Sequence, residues 1–172
     1  MPPWLSHHEE VRLDIDASVN PDIVASMTDM GDIGPFDAVY CSHALEHLYP
    51  HDVSLALGEF RRVLGVGGRA IVIVPDLEDI RPTEDVVFVA PAGPITGLDM
   101  IFGFRAKLKE MPHMAHHTGF VAGTLKAAFE GAGFTYTVVK RLADFNLLAV
   151  VHESREGRGR ARGRTCQRSR RG

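Results

Sequence analysis

The residues best suited to chemistry fall in two histidine groups. His43, Glu46 and His47 spell H-x-x-E-H, the pattern in which two imidazoles bind zinc and a glutamate between them serves as general base. His51 extends the spacing by a further turn. Against a zinc hydrolase, Tyr49-Pro50 interrupts the helix on which such ligands would have to stand. Glu46 and His47 also suit a purely structural part, capping a helix or bonding a neighbouring loop. The second group is His113, His116 and His117 in MPHMAHHTGF, where the spacing and the lack of a nearby cysteine argue against a structural zinc site. Carboxylates supply the third kind of candidate. Asp14 and Asp16 end an alternating apolar run, and Asp29 precedes Gly31 in a turn. A carboxylate at a strand end is an acceptor-only group, matched to a pair of hydroxyl donors or simply solvated.

Phe36 to Pro75 supplies the elements that would position these groups. Asp37 to Cys41 reads as a short strand ending on Ser42 and His43, and a helical pattern then opens at Leu45, Glu46 and His47. The helix proper spans Asp52 to Leu64, with Leu55, Phe60, Val63 and Leu64 as its apolar face, and Gly67-Gly68 stops it before a buried strand, Ala70 to Val74. Strand, helix and strand in that order imply a parallel pair with a right-handed crossover. Ligands bind such sheets at the carboxyl ends of the strands, which is where Ser42 and His43 fall.

Upstream, Val11 to Ile15 and Ile23 to Ala25 read as two further strands. Their connection is shorter than the dozen or so residues a helical crossover needs, which predicts a tight loop or irregular pairing. Downstream, Arg81 to Pro94 reads as a proline-rich loop or short helical turn, Leu98 to Lys109 as a helix weakened by Gly97 and Gly103, and Thr124 to Glu130 as a firmer helix. Phe134 to Lys140 and Phe145 to His152 form a closing antiparallel hairpin.

In FDAVYCSHALEH, EFRRVLGVGG and the strand ending at Pro75, the chain resembles the class I S-adenosylmethionine-dependent methyltransferases, of the type 11-like group. The likeness extends upstream through VRLDIDASVNPDIVASMTDM and downstream through PAGPITGLDM, MAHHTGF and AGF, so it covers Val11 to Val151. It implies an α/β fold with a Rossmann-like methyltransferase sheet and S-adenosyl-L-methionine as cofactor. By resemblance, Asp14 would accept from the ribose hydroxyls, with Asp16 as its neighbour. Asp29 would take the adenine amino group, and the Met30 amide would face the ring. Ser42 and His43 would lie near the reactive methyl group. His43, His116 and His117 would be the catalytic candidates, orienting the acceptor or taking a proton. No metal ligand is implied. Methyl transfer from a sulfonium needs mainly alignment, so the residue types leave the acceptor, a small molecule or otherwise, unspecified.

The family opens with a strand and a glycine-rich loop, and nothing before Val11 supplies either; MPPWLSHHEE contains no glycine. The expectation is an N-terminally truncated domain over residues 1–153, with the strands at Val11 and Asp37 pairing directly, leaving a gap or borrowing a strand. A non-catalytic remnant is the alternative within the same fold.

Composition sets the outer bounds. With 172 residues, 45% hydrophobic and 24% charged, the chain can bury one core. No run reaches the roughly 18 apolar residues of a membrane span and no signal peptide is evident, so the default is a cytoplasmic protein without membrane partners. Cys41 and Cys166 make no disulfide framework, and Cys41 reads as a small buried hydrophobe. The net charge of −3 hides an asymmetry, because residues 155–172 hold eight arginines and one acid. Residues 154–172 are expected to form a disordered Arg/Gly-rich tail. A solvated extension is the preferred reading, and a nucleic-acid-binding arm the alternative.

Overall fold

A computed structural model describes residues 5–152. The Arg/Gly-rich tail and Cys166 lie outside the described residues. The fold opens on two short strands, β1 (Leu13–Asp14) and β2 (Ile23–Val24), paired in parallel with Leu13 opposite Ile23 and Asp14 opposite Val24. The link between them is a single 3-10 turn, Ala17–Val19, as its shortness requires. Asp16 caps that turn by accepting from the Ser18 amide, and Asn20 reverses the chain in left-handed geometry at φ 53°. The longer strand expected over Val11 to Ile15 shrinks to its centre, and both end residues are exposed.

β3 (Phe36–Ser42), α1 (Pro50–Val63) and β4 (Leu64–Pro75) form the expected parallel strand–helix–strand unit. Three details differ from expectation. Leu45–His47 is a separate 3-10 turn, followed by extended Leu48 and Tyr49, so the helix starts afresh at Pro50. Proline suits that first position because its missing N–H would be unpaired there anyway. Asp52 in the first turn and Arg61 and Arg62 in the last complement the helix dipole. The buried face is Val53, Ala56, Leu57, Phe60 and Val63, whereas Leu55 is 55% exposed. Two residues past Val53 is about 200° round a helix, which turns Leu55 to solvent.

Nor does the glycine pair end the helix. β4 begins directly at Leu64, and Gly67 and Gly68 lie inside it. The register jumps from Phe36 opposite Leu64 to Ala38 opposite Arg69, so residues 65–68 bulge out of the ladder. Gly67 takes φ 81° there, and a Cβ on Gly68 would crowd the carbonyl oxygens of Phe36 and Gly65 at 3.0 and 3.1 Å.

After β4 come two strands, β5 (Val86–Ala90) and β6 (Gly93–Thr96), in an antiparallel hairpin. This corrects the expected loop over Arg81 to Pro94: the prolines sit at the turn and edge, and the β-branched run Val86 to Val89 supplies the first strand. The helix expected over Leu98 to Lys109 is limited to α2 (Gly97–Phe102) and a 3-10 turn, Arg105–Lys107. It breaks at Gly103, where φ is 88° and a Cβ would meet the Met114 carbonyl oxygen at 2.5 Å.

α3 (Ala122–Gly131) then leads into the closing hairpin of β7 (Tyr136–Leu142) and β8 (Asn146–His152). The main sheet runs β3-β4-β8-β7, with β8 antiparallel to both neighbours. β8 alternates cleanly, sending Leu147, Ala149 and Val151 inward against Ala70, Val72 and Val74 of β4, the helix face of α1, and Leu125 and Phe129 of α3. Of the outcomes open for β1 and β3, the structure takes the gap. Among the described residues no strand pairs with the outer edge of β3, and the β1–β2 ladder faces that edge across a groove.

Candidate functional site

The groove is a cavity of about 640 Å³ running along β3, with Asp14, Ile23, Met27 and Met30 on one side and the strand from Phe36 to Ser42 on the other. Asp14 reaches it from the carboxyl end of β1. One oxygen of that carboxylate accepts from the Asp16 amide at 2.9 Å, and the other has no hydrogen bond among the described residues. Ser42 reaches the groove from the carboxyl end of β3. Asp14, Met30 and Ser42 therefore meet around one cavity, while Asp29, His43, His116 and His117 do not line it.

Met30 contributes differently from expectation. Its side chain is buried at 7% exposure, and its amide donates to Glu59 Oε2 at 2.8 Å. Glu59 is gripped by Arg62 through two bonds of 2.7 Å, and the guanidinium, helped by that amide, holds the Glu59 carboxyl down at about 2. The Met30 N–H is thus already engaged. Asp29 accepts from the Gly31 amide at 3.3 Å, the arrangement of a turn aspartate.

A second centre forms just beyond β3. His43 takes φ 51°, donates its amide to the Ile73 carbonyl at 2.9 Å and leaves its side chain half exposed, with Nδ1 3.4 Å from Glu46 Oε1. Glu46 is 1% exposed, and neither of its side-chain oxygens has a hydrogen-bond partner among the described residues. Its backbone carbonyl accepts from the amides of His117 and Thr118 at 2.9 and 3.1 Å, which lays the distant second histidine group along the 3-10 turn. His116 is brought beside His47, with ring centroids 5.1 Å apart, while His117 stacks on Tyr49 at 4.2 Å and His113 is exposed. Burial lowers the His116 pKa and favours its neutral form. Burial, with the Glu46 charge in second place, pushes the Cys41 thiol up to about 12, so this buried cysteine is an inert hydrophobe as expected.

The arrangement changes the meaning of H-x-x-E-H. His43 precedes the 3-10 turn in left-handed geometry, so His43 and His47 do not share a helical face. The group that could hold a cation among the described residues is Glu46, His47 and His116, without His43. Sequence reading also passed over Asp76, which is 2% exposed at the end of β4 and paired with Arg141 of β7. An acid directly after the strand-ending proline was the signal available for it.

Residues 8–72 match the family model described as a methyltransferase domain. No curated protein matches the chain. Among solved structures, the pyocyanin biosynthetic protein PhzM aligns at TM-score 0.53 and 14% identity, over 83% of this chain and 42% of that one. PigF with SAH aligns at TM-score 0.51 and 19% identity, over 80% of this chain and 37% of that one. The S-adenosylmethionine-dependent methyltransferase SibL, in its apo form, aligns at TM-score 0.50 and 16% identity, over 75% and 34%. The chain spans about two-fifths or less of the length of each. Residues 8–72 are therefore similar in sequence to a methyltransferase domain, and the chain shares the fold of these solved structures.

Proposed function

We propose that the chain binds S-adenosyl-L-methionine at the carboxyl ends of β1 and β3 and serves methyl transfer to a small-molecule acceptor. The observation that carries this reading is the cavity on which Asp14, Met30 and Ser42 converge. Its fit is reasonable: about 640 Å³ lies within the roughly 300–1,000 Å³ typical of small-molecule sites, and its lining is mainly apolar with a few polar groups. The unpartnered Asp14 oxygen supplies the acceptor that a ribose diol requires. When bound, the cofactor supplies an electrophilic methyl group on a sulfonium.

The protein's own residues then have positioning work. Asp14 would hold the ribose, the Met30 and Ile33 side chains would pack on the flat face of the adenine ring, and Ser42 would fix the floor of the site. His43, half exposed beyond Ser42, is our candidate for orienting the acceptor or receiving its proton. His117, tied to Glu46 and Tyr49, and His116, bonded to Met100 and Phe102, would shape the acceptor side by holding residues 100–118 against the end of β3. No helix of the described residues is long and apolar enough to cross a membrane, and the proposal needs no membrane partner.

Calorimetric titration with S-adenosylhomocysteine tests the reading. The expected result is saturable binding at one site, weakened about tenfold or more in Asp14→Ala by the loss of one to two charge-assisted hydrogen bonds. Binding indifferent to Asp14→Ala would remove that residue from the site.

A further inference from the structure

Glu46 is a carboxylate withdrawn from water, with the half-exposed His43 ring beside it and no hydrogen bond among the described residues. It is 1% exposed, and both side-chain oxygens lack hydrogen-bond partners. Leaving a buried carboxylate unpaired is costly, so such a group in a folded protein calls for a counter-charge. His43 Nδ1, at 3.4 Å on a half-exposed ring, lies beside it without making a hydrogen bond.

Two imidazoles adjoin this carboxylate. His47 Nδ1 lies 3.1 Å from the Ala115 carbonyl oxygen, and His116 Nδ1 lies 2.9 Å from that of Met100. A carbonyl can only accept, so each Nδ1 donates, which in the neutral ring leaves Nε2 as the lone-pair donor. Carbonyls in this outer position are what orient histidines at metal centres. One donor atom from each of Glu46, His47 and His116 lies within 4.8 Å of the other two. Zinc bonds of about 2.0–2.1 Å set a tetrahedral donor spacing of about 3.3 Å, so the three side chains would draw together on binding.

We propose that Glu46, His47 and His116 bind one zinc ion, which fastens residues 97–118 to the loop after β3. Two ligands come from the 3-10 turn and the third from the far segment, so the ion bridges stretches that otherwise meet through the Glu46 carbonyl and neighbouring polar contacts. Two imidazoles and one carboxylate suit zinc better than magnesium or calcium, which take oxygen ligands, or copper(I), which favours sulfur. Three protein ligands leave a fourth position for solvent or an acceptor oxygen. His43 stands outside the ligand set, beside Glu46.

The test is a calorimetric titration of EDTA-stripped, dialysed protein with zinc, repeated with cobalt(II) and followed by visible absorption. One equivalent of zinc, tetrahedral cobalt bands and a thermal midpoint that rises with zinc are expected. His116→Ala removes a partly exposed ring and should weaken zinc by at least the roughly 10–100-fold that losing an outer partner costs. Glu46→Gln should do the same, and His51→Ala, on a side chain 77% exposed, should bind as the parent does. Failure of the parent to take up zinc, or equal affinity in His116→Ala, overturns the proposal. Should Glu46→Gln not fold, His116→Ala alone decides. The S-adenosylhomocysteine titration, run in EDTA, reports on the cofactor site separately.

Discussion

Phe60→Ala is expected to lower the unfolding free energy by about 3–5 kcal/mol, the largest effect of any single truncation considered. Phe60 is 2% exposed on the inner face of α1, in one cluster with the β4 and β8 side chains and α3, and it also lines the inner wall of the groove. Removing the ring takes away its transfer free energy and leaves a void that two strands and two helices cannot all close in on. Leu55→Ala, on the same helix but turned to solvent, should stay within about 0.5 kcal/mol of the parent. Urea denaturation of the pair measures both. Comparable losses at the two positions would mean that the inward face of α1 is misassigned.

Arg141→Ala should destabilise the fold measurably. Asp76 is 2% exposed, and its oxygens are met by the Arg141 guanidinium and, at 3.1 Å, the Glu78 amide. Deleting the arginine strands a buried carboxylate at the end of β4, a change worth about 3–5 kcal/mol in fully buried pairs. Arg141 is itself 46% exposed, so water can partly replace it and the loss is smaller than in a fully buried pair. Adding Asp76→Asn to Arg141→Ala should recover part of the loss, because the stranded charge is then gone. A double-mutant cycle by thermal or urea unfolding reads the coupling.

How much of this was legible beforehand depended on how local each signal was. The Phe36 to Pro75 unit was readable because a continuous apolar strand, a helix with 3.6-residue spacing and a second apolar strand follow one another without ambiguity. Leu55 was assigned inward from its residue type, although its angular position put it on the outer face. The glycine pair was read as a stop signal when it serves a bulge, since both uses ask for the same residue. The β5–β6 hairpin was hidden by its prolines. Asp14 and Ser42 could each be recognised as strand-end groups, but the cavity joining them depends on a sheet edge that no local pattern reports. The Glu46–His47–His116 group was beyond reach for the same reason: His116 arrives from a distant segment, docked by the neighbouring His117 and Thr118 amides on the Glu46 carbonyl, which neither histidine group alone announces.

The central claim is that the cofactor occupies the groove between β1 and β3. Titrating S-adenosylhomocysteine into isotopically labelled protein and following the backbone amide signals residue by residue tests it most directly. The account predicts that the perturbed amides concentrate at residues 12–14, 27–33 and 38–44, which border the cavity. Perturbations confined to residues 76–96 or 136–152, or a spectrum unchanged at saturating ligand, would contradict it.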